Sequence, residues 1–238
     1  MPSSEPLGPE VRKVAWKQAW RVIASRYPPI DLFERVSDDP AVWDALIELE
    51  ALTNPRLRDE IGEISLIPTE RRVTGPGASY VMASFTHVNP KGSRFSDGSY
   101  GVYYCAESLE TAIEETIYHF EEAARDSSDP QRSEKMRVLV GSVDRTFHDV
   151  GSVAEADFQR IMHETSYADS QPLGRRLRDE GSDGVVYPSA RRKGGECVGA
   201  FWPDVVSKPS QERHLEYHWN GQRVDKYFDF EKKDWIKR

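Results

Sequence analysis

Cysteine is scarce in this chain of 238 residues. Cys105 and Cys197 are the only two, too few for a disulfide framework or a cysteine-rich zinc site, so reduced thiols are the default. The six histidines are scattered at 87, 119, 148, 163, 214 and 218 with no HExxH pattern, which gives a metal site little support. Long apolar runs are lacking too, and no segment approaches the length needed to cross a bilayer. The opening Met1-Pro-Ser-Ser-Glu-Pro has neither a basic start nor an apolar stretch, so no secretory signal is expected and the expected location is the cytoplasm. Positive charge is not in excess either. The formal net charge of −8 argues against broad electrostatic capture of nucleic acid, although Arg191-Arg192-Lys193 forms a local basic patch able to hold a small phosphorylated ligand. No Walker loop, no dinucleotide-fold GxGxxG and no internal repeat is present.

What is there is an ordinary globular composition, 38% hydrophobic and 30% charged, long enough for one large domain with additions. Val14, Ala15, Ala19, Val22 and Ile23 recur at helical spacing, and Pro40 to Leu52 repeats that pattern behind an Asp39 cap. Residues 1–68 therefore read as a helical extension. Ile64 to Phe85 reads as short strands between Gly-Pro turns. Val102 to Ala106 predicts a strand, Ser108 a cap for a helix from Leu109, and Arg137 to Val143 another strand. Gln171 to Glu180 predicts a helix closed by Gly181, followed by strands at Gly184–Tyr187 and Cys197–Trp202. Asn220-Gly221 marks a hairpin between residues 214 and 228. Strands and helices out of strict alternation predict an α+β domain over 69–210, with 211–238 as a C-terminal hairpin and tail.

Chemistry concentrates in two stretches. On the helix from Leu109, residues Leu109, Ile113, Thr116, Ile117 and Phe120 share a face. Glu114 falls nearly opposite, and Glu115 lies on the shoulder, where a carboxylate can be held rigidly and still face a cleft. A solvated helix glutamate is the plainer alternative. Arg94 precedes a small-residue turn and could hold phosphate with its planar fork, or simply form a surface ion pair. Tyr103 and Tyr104 alternate across their strand, so one faces the core and the other the opposite surface. Ser189 follows a strand end beside Arg191 and ahead of Gly194-Gly195, in a loop that could cradle phosphate or orient a ribose hydroxyl. Cys105 sits in an apolar strand and reads as a buried thiol, not a nucleophile paired with His119 or His87.

Arg94, Tyr104-Cys105-Ala106, Thr111-Ala112-Ile113-Glu114-Glu115, and Ser189 followed by Gly194-Gly195 resemble the RES domain family over roughly residues 69 to 208. The resemblance implies an α+β fold with an ADP-ribosyltransferase-like twisted sheet core and flanking helices. It also implies an NAD-consuming toxin that pairs with an Xre-type antitoxin and either hydrolyses NAD, phosphorolyses it or transfers ADP-ribose to a protein. NAD would be the substrate and no cofactor would be required. The family glutamate falls on Glu115, its strand tyrosine on Tyr104, its serine on Ser189 and the arginine of its turn on Arg94. The arginine opening its first strand falls on Arg72, with Arg71 as neighbour. Glu115 would stabilise an oxocarbenium-like transition state. Arg94 and Arg72 would neutralise the pyrophosphate, Tyr104 would pack on a ring, and Ser189 would position ribose or nicotinamide. Phe95-Ser96 stands in place of the family's Trp-Asn, and Cys197 where many members have asparagine. Mono-ADP-ribosylation of a specific protein and a catalytically idle nucleotide-binding or interaction module are the alternatives. A homo-oligomer is left open, and neither a membrane nor direct nucleic-acid binding is expected.

Overall fold

The computed structural model describes residues 8–30, 32–39, 42, 43, 45, 46 and 61–238. Its elements are β1 (Val11–Ala24), α1 (Ala78–Thr86), β2 (Tyr103–Ala106), α2 (Leu109–Asp126), β3 (Arg132–Asp149), α3 (Glu155–Ile161), α4 (Ser170–Asp179), β4 (Gly184–Pro188), β5 (Glu196–Ala200), β6 (Ser210–Trp219), β7 (Val224–Asp229) and β8 (Asp234–Lys237). Among the described residues, eight strands form one mixed sheet in the order β1-β2-β5-β4-β3-β6-β7-β8, giving the mixed α+β architecture expected from the sequence. The sheet curls back on itself, because β1 also pairs with β3 from Val11↔His148 to Ala24↔Met136. β3 and β4 are parallel at His148↔Val185 and Asp149↔Val186, and the other pairings are antiparallel.

Alternate residues of these strands feed two cores. In the first, Ala106, Val185, Tyr187 and Cys197 pack with Ile113 and Ile117 of α2 and Leu177 of α4. In the second, Tyr103, Cys105, Val186 and Val198 pack with Val81 and Met82 of α1 and with Phe33 and Ile67. The period-2 alternation of a strand buried on both sides accounts for the division.

Two expectations are corrected. Residues 11–24 are a strand, not an amphipathic helix. The register with β3 shifts between Trp16 and Ala19, and this bulge slips the alternation so that the buried positions fall at Val14, Ala19 and Val22, a spacing that imitates a helical stripe. The stretch from Ile64 to Phe85 forms 3-10 turns at Ile64–Leu66 and Thr69–Arg71 and then helix α1, in place of short strands. The start of α1 carries no side-chain cap of its own; Glu34 accepts instead from the backbone N–H groups of Gly77 at 2.9 Å and Ser79 at 3.0 Å. Of the expected helix over 40–52, Val42, Trp43, Ala45 and Leu46 are helical, and positions 40, 41, 44 and 47–52 lie outside the described residues.

Elsewhere the reading holds. Ser108 caps α2 by accepting from the Thr111 N–H at 3.3 Å, α4 ends ahead of Gly181 at φ 84°, and β4 and β5 occupy the expected stretches. The 214–228 hairpin is present as β6 and β7. Its loop is wider than a two-residue turn: the Asn220 side chain accepts from the N–H groups of both Gln222 and Arg223 at 2.9 Å.

Candidate active site

The site is assembled where α2 crosses the ends of β2, β4 and β5. Ser189 follows directly on β4, and its hydroxyl donates to Glu115 Oε1 at 2.5 Å. Ser189 Oγ in turn accepts from the backbone N–H groups of Arg191 at 3.1 Å and Arg192 at 3.0 Å. One hydroxyl therefore ties down both the α2 carboxylate and the loop that follows the strand. Gly195 lets that loop lie close on α2, since a Cβ there would stand 2.5 Å from Thr111 Oγ1. Cys197 on β5 lies below the carboxylate, with Sγ 3.9 Å from Glu115 Oε1. Burial, with the Glu115 charge adding, holds the Cys197 thiol well above its ordinary pKa.

Glu114 is turned away from this group. Arg238 Nη2 reaches its carboxylate at 2.5 Å, so two adjacent glutamates of one helix have different partners, as the helical wheel requires.

The opposite wall comes from the turn that carries Arg94. The Tyr104 hydroxyl accepts from the Phe95 N–H at 3.0 Å and shares a hydrogen bond with Ser93 at 2.8 Å; burial pushes its phenol up to about 12. Phe95 packs edge-on against Tyr187, with ring centroids 5.0 Å apart. Ser96 donates to the Tyr100 carbonyl and accepts from the Gly98 N–H, so this serine closes the turn from within. Helix α4 comes down on the turn through Gly174, where a Cβ would stand 2.3 Å from the Phe95 carbonyl oxygen. Tyr187 sits between the two walls: burial holds its phenol well above its ordinary pKa, with Cys197, Glu115 and Tyr104 acting in the same direction and Arg94 against.

Arg94 is 8% exposed. Its Nη1 donates to the His163 carbonyl at 2.9 Å, and its guanidinium lies 4.8 Å from the Tyr167 ring centre. Arg191 approaches from the loop after Ser189. It donates to the Glu164 carbonyl and lies over the Tyr118 ring, 3.3 Å from its centre. Neither arginine has a carboxylate within ion-pair distance among the described residues.

The structure thus brings Glu115 and Ser189 into contact and sets Tyr104 and Arg94 around the same buried tyrosine. Arg72 is placed differently. Its Nε donates to the Ile67 carbonyl at 3.0 Å, beside residues of the second core, whereas Glu115 and Tyr187 stand on the side of the first. Arg71 is engaged by Asp204 at 2.9 Å and Asp183 at 3.4 Å and lies over Trp202. Cys105 belongs to the second core, and burial pushes its thiol up to about 12, so it is a protonated packing residue.

Sequence reasoning missed Tyr187, Tyr118 and Tyr167. Strand alternation places Val185, Tyr187 and Ser189 on one side, and Tyr118 follows Glu115 by three positions on the helix, so both were within reach of periodicity. Tyr167 lies in an irregular segment between α3 and α4, where no pattern points to it.

A carboxylate, a hydroxyl, a guanidinium and aromatic rings are gathered around one mixed sheet, and the fold is that of an α+β protein. The family model of the RES domain matches residues 69–220, and the chain belongs to the RES domain family. It is 29% identical over 212 residues to the uncharacterized protein y4oC of Sinorhizobium fredii (strain NBRC 101917 / NGR234), an alignment spanning 89% of this chain and 87% of that protein. Among solved structures, a chain in the crystal structure of the M. tuberculosis MbcT-MbcA toxin-antitoxin complex is similar with a TM-score of 0.43 and 11% identity, covering 89% of this chain and 87% of the other.

Proposed function

We propose that this protein cleaves the nicotinamide–ribose bond of NAD, with Glu115 as the catalytic carboxylate. The observation that carries the reading is the Ser189 to Glu115 hydrogen bond of 2.5 Å. It fixes a carboxylate at the wall of a site whose other side holds Tyr104, Tyr187 and Arg94. In the reaction, the bond between ribose C1′ and the pyridinium nitrogen breaks, and its electron pair neutralises the departing nicotinamide. Positive charge develops on the sugar, and a fixed carboxylate stabilises it without any reorganisation at the moment of reaction. An oxygen of water or phosphate then bonds to C1′, and with water a proton is released. Arg94 neutralises the pyrophosphate, Tyr104 and Tyr187 present rings to the dinucleotide, and Ser189 holds the carboxylate in its working rotamer. As in toxins of the family, the activity would deplete the NAD of the cell, and an antitoxin protein would be the natural partner.

The test is nicotinamide release from NAD by the purified protein, with and without phosphate, beside Glu115→Gln. Release that Glu115→Gln abolishes supports the proposal, and its phosphate dependence separates phosphorolysis from hydrolysis. No release under either condition removes it and leaves transfer to a protein, or binding alone.

A further inference from the structure

Arg94 comes from the turn ahead of β2 and Arg191 from the loop that begins at Ser189, yet they donate to the carbonyls of consecutive residues, His163 and Glu164. Both guanidinium groups are therefore anchored to the same short segment at adjacent residues, an arrangement that two linked phosphates could bridge. Arg94 lies over the Tyr167 ring, and the charges of both arginines act on its phenol. A neutral carbonyl satisfies one N–H of a guanidinium and leaves the charge uncompensated. Bidentate phosphate oxygens would satisfy two and balance it. Arg191 also keeps a buried Nε with no hydrogen-bond acceptor, a costly arrangement for a side chain whose role is packing alone. Its position is nevertheless fixed in advance by the Tyr118 ring beneath it.

We infer that Arg191 is a second pyrophosphate-binding residue, forming with Arg94 a two-armed clamp whose bonding positions are taken in this structure by the carbonyls of a strap, His163 to Tyr167. The inference rests on the reading of the site as one for NAD and adds to it a residue and a moving part. Met162 and Ser170 are buried on either side of the strap, while His163 to Ser166 are exposed. The strap can therefore lift without opening a core. Its internal bonds are local: the N–H groups of Thr165 and Ser166 both point to His163 Nδ1, at 3.3 and 3.0 Å.

Calorimetric titration with inorganic pyrophosphate and with ADP-ribose, on the full chain, tests this apart from turnover. Arg191→Ala is expected to weaken both ligands tenfold or more, Arg94→Ala by a similar factor, and Lys237→Ala, an exposed charge on β8, not at all. Pyrophosphate should also speed amide hydrogen exchange at Thr165 and Ser166. Wild-type affinity in Arg191→Ala would overturn the inference. If Arg191→Ala does not fold, Arg191→Lys decides: it keeps the charge but loses the fork, so weaker binding supports the clamp and unchanged binding sinks it. Pyrophosphate binding that depends on Arg191 in a protein that releases no nicotinamide would uphold the clamp and remove the cleavage reading. NAD cleavage with the same KM in wild type and Arg191→Ala would do the reverse.

Discussion

Glu115 accepts the Ser189 hydroxyl, whereas Glu114, one residue earlier, is bound by Arg238. Glu115→Gln should therefore leave the fold intact and lower turnover about a hundredfold, equivalent to roughly 2.7 kcal/mol of transition-state stabilisation. Glu114→Gln removes a partly exposed ion pair worth about 0–1 kcal/mol and should leave turnover near wild type. Steady-state NAD cleavage and denaturant midpoints on both variants check the pair, and equal turnover in the two would take Glu115 out of the mechanism. Ser189→Ala should act on both readouts. It frees the Glu115 carboxylate and strips the N–H groups of Arg191 and Arg192 of their acceptor, a loss of about 1–3 kcal/mol in unfolding free energy accompanied by a fall in kcat. Of this arrangement, the shoulder placement of Glu115 was legible from the helical wheel and the position of Ser189 from its place after a strand. Their mutual hydrogen bond was not, because it depends on α2 crossing the end of β4, which no local pattern encodes.

At the level of elements, the site depends on two close approaches. The Ser93–Ser96 turn is held under α4 by Gly174 and by the ion pair of Arg175 with Asp97. That ion pair lowers the Asp97 carboxyl from about 3.8 to about 2. A depressed folded-state pKa gives stability that is present above about pH 4 and lost as the pH falls through about 2. Thermal midpoints measured across that window should drop less steeply for Asp97→Asn than for the wild type; parallel curves would mean the pair contributes nothing. Gly195→Ala would put a methyl 2.5 Å from Thr111 Oγ1 and push the Ser189 loop off α2. The expected result is weaker catalysis with the secondary structure retained, read by circular dichroism beside nicotinamide release. Elements whose signals are local, such as the Ser108-capped α2 and β4, were readable from sequence. Those defined by distant partners were not: α1 takes its N-terminal acceptor from Glu34, and the bulge in β1 exists only against β3.

Across the whole molecule, the RES match begins at residue 69, but the sheet does not. β1 supplies Val14 and Ala19 to one core and Val22 to the other, and it covers an edge of β3 along most of that strand. A fragment starting at residue 69 is expected to lose cooperative unfolding and to associate through the bared β3 edge, measurable by calorimetry and light scattering; a monomeric fragment with a sharp transition would contradict this. The β1–β3 ladder also has a temporal consequence. Its rungs run from Val11↔His148 to Ala24↔Met136, so this ladder cannot form until β3 has been translated. Ser189 follows later still. During synthesis the Glu115 carboxylate exists for many residues without the hydroxyl that positions it, and the Glu115–Ser189 pair cannot form until β4 has been made.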